Sequence, residues 1–417
     1  MNKKKKIAVI SSQYFWLPQE AGPTRFYSIA EALGRHQFEV DVVTSSFEHH
    51  LKKQRDQTLH CPFRVIYLQC PGYQKNISLA REISNRVFAV KVADYLRTTK
   101  KDYDAVYCSM PPNNISAVVG KICAQKGIPF LVDIEDLWPE AMQRVFRLPF
   151  VSGFMFYPYR KAAGRTYSYA DGAVGTSDEY TDRARQVKKA GILCRTVYVG
   201  CDVAEFDREA AQNLHRVKKN QNEFWVTYAG TIGHSYAIWN LVKLAVILEK
   251  KKHVNIKVKI VGTGPLLPKM KHLAKRAGCG NIEFLGYLEH PLMAAYLLRS
   301  DILVNSFAKD VPQSIVNKIG DYLSAAKPMI NTLENSEFCS LISRYRAGIS
   351  IGAENPWKLY QAVLKLYNNP GMCRQLSANA RHLAEEKFDR KYTYPDIASL
   401  VEQCIRQKQQ KSTAMGE

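Results

Sequence analysis

The chain predicts an α/β protein of two Rossmann-like, doubly wound domains, and three observations carry that expectation. Its 417 residues exceed what one ordinary core holds and suit two domains of roughly 200 residues each. Short β-branched runs alternate with longer helical patterns, the signature of βα units and parallel sheet. This alternation runs through the first half, lapses into a polar stretch from Asp202 to Glu223 that reads as a linker, and then restarts.

Taken in order, the first-half strands are "KIAVIS", "EVDVVT", "RVIYLQ", "DAVYCS", "PFLVDI", "GAVGTS" and "TVYVGC". Helical patterns fall between them, at Thr24 to Leu33, Leu79 to Arg97 and Ile115 to Gln125. The second half supplies "FWVTYAG", "NIKVKIVG", "NIEFLG", "DILVNS", "KPMIN" and "GISIG", again with helices between, and helices follow from Pro370. The expected division is 1–205 for an N-terminal domain, 206–390 for a C-terminal domain, and 391–417 for a closing helix with a basic, frayed tail. Two such domains would face each other across a cleft at the carboxyl ends of their sheets, where open α/β sheets bind ligands.

Hydrophobic content of 46% and charged content of 23% are ordinary, but 59 Lys and Arg against 38 Asp and Glu leave +21. That excess predicts anionic company. Ten scattered cysteines without a C-x-x-C pair or zinc-type histidines read as reduced thiols of a cytosolic protein. The apolar run Ile7 to Ile10 is too short for a signal peptide and reads as a first strand, and no apolar run reaches membrane-spanning length. No helix-turn-helix, zinc or RNA-recognition motif supports a nucleic-acid partner.

"IVGTGPLLPKM" (Ile260 to Met270) has the look of a nucleotide turn, yet it lacks the third glycine of a dinucleotide fingerprint. In "VPQSIVNKIGDYLSAAKPMIN" a loop leads into a helix on which Lys318 and Asp321, three apart, share a face. The pair reads either as a surface ion pair or as a diphosphate lysine beside a ribose carboxylate at a helix amino end. In "PFLVDIEDLWPEA", Glu135 and Asp136 follow a buried strand. They are either candidates for proton transfer, with a pKa raised by desolvation, or caps of the next helix.

"KIGDYLSAAKPMI" resembles the K-x-x-E-Y-L-A-x-G-K-P-V-I stretch of retaining GT-B-fold glycosyltransferases, the family four that includes bacterial O-antigen and capsule enzymes. "DLWPEA", "YAGTIG", "IVGTGPLLPKM" and "NIEFLGYLEHPLMAAYLLRSDILVNS" match further stretches of that family in order, and the likeness reaches back to "PQEAGPTRFYSIAEAL". It implies a GT-B fold and transfer of a sugar, with retention, from a nucleotide-diphosphate sugar to a polyprenyl-diphosphate-linked or saccharide acceptor in surface-polysaccharide assembly. Lys318 would meet the phosphate and Asp321 the ribose; Gly286 and Tyr287 would neighbour the base. The turn Gly230, Thr231 to Gly233 would offer amides to the diphosphate, with Gly264 serving geometry and Gly22 closing the clamp from the first domain. The resemblance implies no metal or other cofactor.

The chain departs from the family at several positions. Where the motif carries two glutamates eight apart, this sequence has Gln313, followed by Ser314, and Asp321. The usual glycine of A-x-G-K-P is Ala326, and an arginine after "G-x-x-G" is replaced by His234, either a phosphate donor or an exposed loop residue. Glu135 stands where many members have a histidine. A nucleotide-sugar epimerase of the same fold is the alternative activity.

Arg144 to Tyr169 interleaves five basic residues with Phe and Tyr, and Lys250 to Arg276 holds nine Lys and Arg without an acid. The first reads either as packed helices or as a membrane-interface foothold. The second reads either as a solvated face or as an attraction to an anionic membrane. The expected location is cytoplasmic, with peripheral attachment at the inner face of the cell membrane.

Overall fold

The computed structural model describes residues 4–12, 15–17, 24–49, 51–55, 61–75, 77–140, 155–187, 191–311 and 315–414. The chain forms two compact units, one from residues 1–198 with 393–417 and one from Val199–Tyr392.

The first unit is built on strands β1 (Lys6–Ser11), β2 (Glu39–Ser45), β5 (Arg64–Leu68), β6 (Ala105–Met110), β7 (Phe130–Ile134), β8 (Gly172–Gly175) and β9 (Leu193–Thr196), with a small side ribbon of β3 (Phe47–Glu48) and β4 (Lys53–Gln54). The seven main strands pair in parallel in the order β5-β2-β1-β6-β7-β8-β9. Apolar clusters lie on both faces, which is why β6 and β7 are buried at every position and read as continuous hydrophobic runs.

The second unit repeats the plan with β10 (Phe224–Ala229), β11 (Ile256–Val261), β12 (Ile282–Gly286), β13 (Ile302–Asn305), β14 (Met329–Asn331) and β15 (Gly348–Ser350). All pairs are parallel, in the order β12-β11-β10-β13-β14-β15. In each sheet the order reverses beside its first strand, between β1 and β6 and between β10 and β13. Ligands of open α/β sheets gather at such switch points.

Four expectations of the fold are corrected. The strand expected at "TVYVGC" lies earlier, at Leu193–Thr196; the carbonyls of Val197 and Tyr198 instead accept from Arg25 at 3.4 Å each. The polar stretch from Asp202 is not a linker, since Val203–Asn213 is a helix capped by the Asp202 side chain, which accepts from the Glu205 amide at 2.8 Å. Its Val203, Phe206 and Ala210 are buried, so a sparse apolar stripe on a charged helix was enough to pack it. The boundaries therefore fall after Tyr198 and Tyr392 rather than after 205 and 390.

The closing segment is likewise no separate tail. Helix Pro395–Ala414 packs Ile397, Leu400, Val401 and Cys404 into the same cluster as Ile7, Val9, Phe26 and Ile29. Lys408 and His36 reach Asp171 and Glu402 across this seam.

Candidate functional site

At the switch point of the second sheet, the loop after β13 leads into the helix Lys318–Ser324. The Lys318 amine is buried and makes no hydrogen bond among the described residues. Aromatic rings surround it instead: Tyr228 at 4.3 Å, Tyr236 at 4.6 Å, Phe307 at 5.1 Å and Tyr322 at 5.7 Å to the ring centroids. Ring faces attract a cation without supplying a counter-charge, and burial lowers the Lys318 pKa to about 7. The expected alternative of a surface ion pair between Lys318 and Asp321 does not form. The helix has seven residues, too few turns for its dipole to bind an anion unaided.

Above the amine runs the turn after β10. A Cβ on Gly230 would meet the Tyr228 hydroxyl at 3.1 Å and the Lys318 Cδ at 3.5 Å. The turn is braced by the one after β11: Gly230 N donates to Val261 O at 3.0 Å and Ile232 N to Thr263 O at 2.8 Å. Gly262 and Gly264 allow that approach. At φ +129° and +154° they sit where side chains are disfavoured, and a Cβ would fall 1.9 Å from Gly230 O and 2.5 Å from Ile232 O respectively. Gly264 thus permits the close approach of the two turns.

The Gly230 and Ile232 amides are spent on these bonds, which trims the expected nest to the Thr231 and Gly233 N–H groups, unpaired among the described residues. Thr231 and His234 are exposed. At the end of β12, Gly286 takes φ +75° and accepts from Gly262 N at 2.7 Å, and Tyr287 follows, 62% exposed. Gln313 and Ser314 lie outside the described residues, as does Gly22.

Asp321, one turn beyond Lys318, is mostly buried and pairs with His290, Oδ1 to Nε2 at 3.2 Å. The other ring nitrogen of His290 lies 2.6 Å from Glu209 Oε2. Cys201, from the segment before helix 203–213, meets the Ser324 hydroxyl at 3.0 Å and fixes the far end of the short helix.

In the first unit, Glu135 follows β7 and its amide donates to Met110 O, one strand from the switch point, at 2.8 Å. Burial, together with the Asp133 carboxylate two residues back, pushes the Glu135 carboxyl well above the ordinary carboxylate range; Arg25 offsets part of this. Asp133 is fully buried and chelated by Arg25, Oδ2 from Nε at 2.9 Å and Oδ1 from Nη2 at 2.8 Å. Asp136 is committed elsewhere. Its Oδ1 accepts from Leu137 N at 2.8 Å and its Oδ2 from Trp138 Nε1 at 3.2 Å, holding the turn after β7, while burial raises its pKa. Among the described residues no group of three or more His, Cys, Asp or Glu is arranged to hold a metal ion.

Sequence reasoning missed the four rings, His290, Glu209 and the Arg25–Asp133 pair. Asp133 was detectable, as a charge inside "FLVDI", a strand otherwise apolar. The rings were not, because each sits in a different segment and looks like ordinary core.

Two family profiles match the chain: the glycosyl transferase 4-like domain over residues 22–191 and glycosyl transferases group 1 over residues 210–383. A curated relative, an uncharacterised glycosyltransferase of Methanocaldococcus jannaschii, is 20% identical over 209 residues, spanning 50% of this chain and about half, 52%, of its own length. Among solved structures, sucrose-phosphate synthase of Thermosynechococcus elongatus superposes with a TM-score of 0.72 at 18% identity over 96% of this chain and 99% of its own. Anabaena HepE in complex with UDP gives 0.69 at 14% over 95% and 100%. A third is WaaG, a glycosyltransferase involved in lipopolysaccharide biosynthesis, at 0.65 and 14% over 95% and 99%. These likenesses establish the GT-B fold. With both halves matched, the chain belongs to the glycosyltransferases, a glycosyl transferase 4-like domain followed by a group 1 domain.

Proposed function

We propose that the protein transfers a sugar, with retention, from a nucleotide-diphosphate sugar to a lipid-linked or saccharide acceptor in surface-polysaccharide assembly. One observation carries the donor half: a buried amine without a counter-ion, ringed by aromatic faces under a glycine turn at a sheet switch point. A cation so placed lacks an anion, and a diphosphate supplies one. HepE, of the same fold, was solved with UDP.

When the bond from the anomeric carbon to the β-phosphate oxygen breaks, charge builds on that phosphate. Lys318 and the Thr231 and Gly233 amides, fixed beforehand, would meet it without a divalent ion. The acceptor oxygen would form the new bond on the same face and lose its proton to a base, and Glu135, whose carboxylate is made a stronger proton acceptor by burial, is the candidate for that base. No observation favours the epimerase alternative.

The test is incubation with radiolabelled UDP- and GDP-sugars and a polyprenyl-diphosphate acceptor. Label is expected in the lipid fraction, and Glu135→Gln is expected to cut kcat about a hundredfold with donor KM retained. Label appearing in an isomerised free donor, or a Glu135→Gln enzyme of full activity, contradicts the respective assignment.

We further propose a cytoplasmic enzyme attached peripherally to an anionic membrane. No helix among the described residues is long and apolar enough to cross one. The support comes from helix Leu79–Thr98, which is apolar on two faces. Phe88, Val92 and Leu96 face the core, while Leu79, Ile83 and Val90 are exposed, next to exposed Ile77. The Tyr159 hydroxyl donates to Glu82 at 3.1 Å and brings exposed Met155 and Tyr157 alongside, with exposed Lys75, Arg86, Lys91, Arg160 and Lys161 around them. Of the foothold expected at 144–169, residues 144–154 lie outside the described residues, and Phe156 and Tyr167 are core. In the other basic stretch Lys259 is turned inward onto Trp225 and Glu283. Leu79→Glu with Ile83→Glu is expected to weaken flotation with phosphatidylglycerol vesicles about tenfold while donor affinity stays constant; unchanged flotation removes this surface from consideration.

A further inference from the structure

Glu209, His290 and Asp321 come from three helices, 203–213, 290–299 and 318–324, and meet at one imidazole. His290 Nδ1 lies 2.6 Å from Glu209 Oε2 and Nε2 lies 3.2 Å from Asp321 Oδ1. Two carboxylates can both be served only by the imidazolium, which donates from each nitrogen. Phe206, edge-on at 6.4 Å, limits the ring from the side. Burial would favour the neutral ring, but Asp321 and then Glu209 outweigh it and raise the His290 pKa to about 9, so the clamp is closed at neutral pH.

The Oδ2 of Asp321 accepts no hydrogen bond among the described residues. A carboxylate near a bound diphosphate would suffer repulsion and swing away unless a cation held one of its oxygens. We propose that His290 is a positioning residue for the nucleotide donor: anchored by Glu209, it holds Asp321 Oδ1 so that Oδ2 faces the ribose diol. It acts through Asp321 and does not touch the donor itself. This rests on the reading that the second unit binds a nucleotide-diphosphate sugar.

The experiment titrates the full chain calorimetrically with UDP and GDP and with their 2′-deoxy and 3′-deoxy counterparts, for wild type, Asp321→Ala, His290→Ala, Glu209→Gln and the His290→Ala/Asp321→Ala double variant. Thermal melts verify that each variant is folded. His290→Ala is expected to weaken binding of the ribonucleotide roughly fivefold, the scale of a half-exposed charged pair, and to leave at least one deoxy counterpart nearly unaffected. Glu209→Gln is expected to shift the same ligand in the same direction by less. The double variant is expected to bind no more weakly than Asp321→Ala alone, since a residue acting through another adds nothing once that partner is gone.

Equal losses for ribose and both deoxyribose ligands, additive losses in the double variant, or His290→Ala binding like wild type would each overturn the inference while leaving the donor site standing. Absence of binding of both UDP and GDP by the wild type would overturn the donor reading and this inference together.

Discussion

Lys318→Met is expected to leave the protein folded and more stable while donor turnover falls by at least about a hundredfold, the cost of removing one fixed donor from a developing phosphate charge. The two effects have one origin. Among four rings and without a hydrogen bond, the amine is poorly solvated, and a thioether chain of similar length fits those surroundings better.

The sign of the pH effect follows. Because the folded-state pKa of Lys318 is lowered to about 7 from 10.5, the unfolded chain binds more protons than the native one between those values. Wild-type stability gains from this group as pH rises through that window, and below it the penalty is present in full. The melting temperature of Lys318→Met should thus exceed that of wild type by more at pH 6 than at pH 9. In the wild-type enzyme, donor kcat/KM should decline above about pH 7, as the free site loses the proton that makes the Lys318 amine a cation. A variant melting below wild type at pH 6, or a kcat/KM profile flat from pH 6 to 9, refutes the assignment.

Arg25→Met is the second large effect, and here stability is lost. The guanidinium chelates Asp133, donates to the Val197 and Tyr198 carbonyls and to the Tyr394 hydroxyl at 3.1 Å, and lies over the Tyr394 ring at 5.5 Å. With side-chain exposures of 3% for Arg25 and 0% for Asp133, methionine would strand a buried carboxylate. Removing one partner of such a pair costs about 3–5 kcal/mol, or roughly 10 °C in melting temperature for a unit of this size. Adding Asp133→Leu should restore most of the loss, because what destabilises is the orphaned charge rather than the missing pair. Limited proteolysis would report the same event, with cuts in 395–414 appearing early in Arg25→Met. A single variant melting within a degree or two of wild type is the contrary result.

What could be read from residues alone was set by range. Strands buried on both faces announce themselves in four to six adjacent letters, so β1, β6, β7, β10, β11 and β13 were legible. Helix 203–213 carried its signal too, Asp202 followed three residues later by Glu205, the spacing of a helix amino-terminal cap, but its charged surface hid the stripe beneath. Lys318 and Asp321 were legible because they are three apart on one helix. Their surroundings were not, since Tyr228, Tyr236 and Phe307 converge from two strand ends and His290 arrives from another helix. The commitment of the Ile232 amide to Thr263 was equally hidden, because backbone pairing between two turns leaves no trace in side-chain identity.

The seam between helix 395–414 and β1 has a temporal consequence. During synthesis β1 leaves the ribosome well before helix 395–414, so the apolar surface it shares with Ile397, Leu400 and Val401 stays uncovered while the second unit, Val199–Tyr392, is made. The first unit therefore completes its core only after the second has emerged. It waits with exposed hydrophobic surface while the intervening half folds, the interval in which nascent chains most need a chaperone.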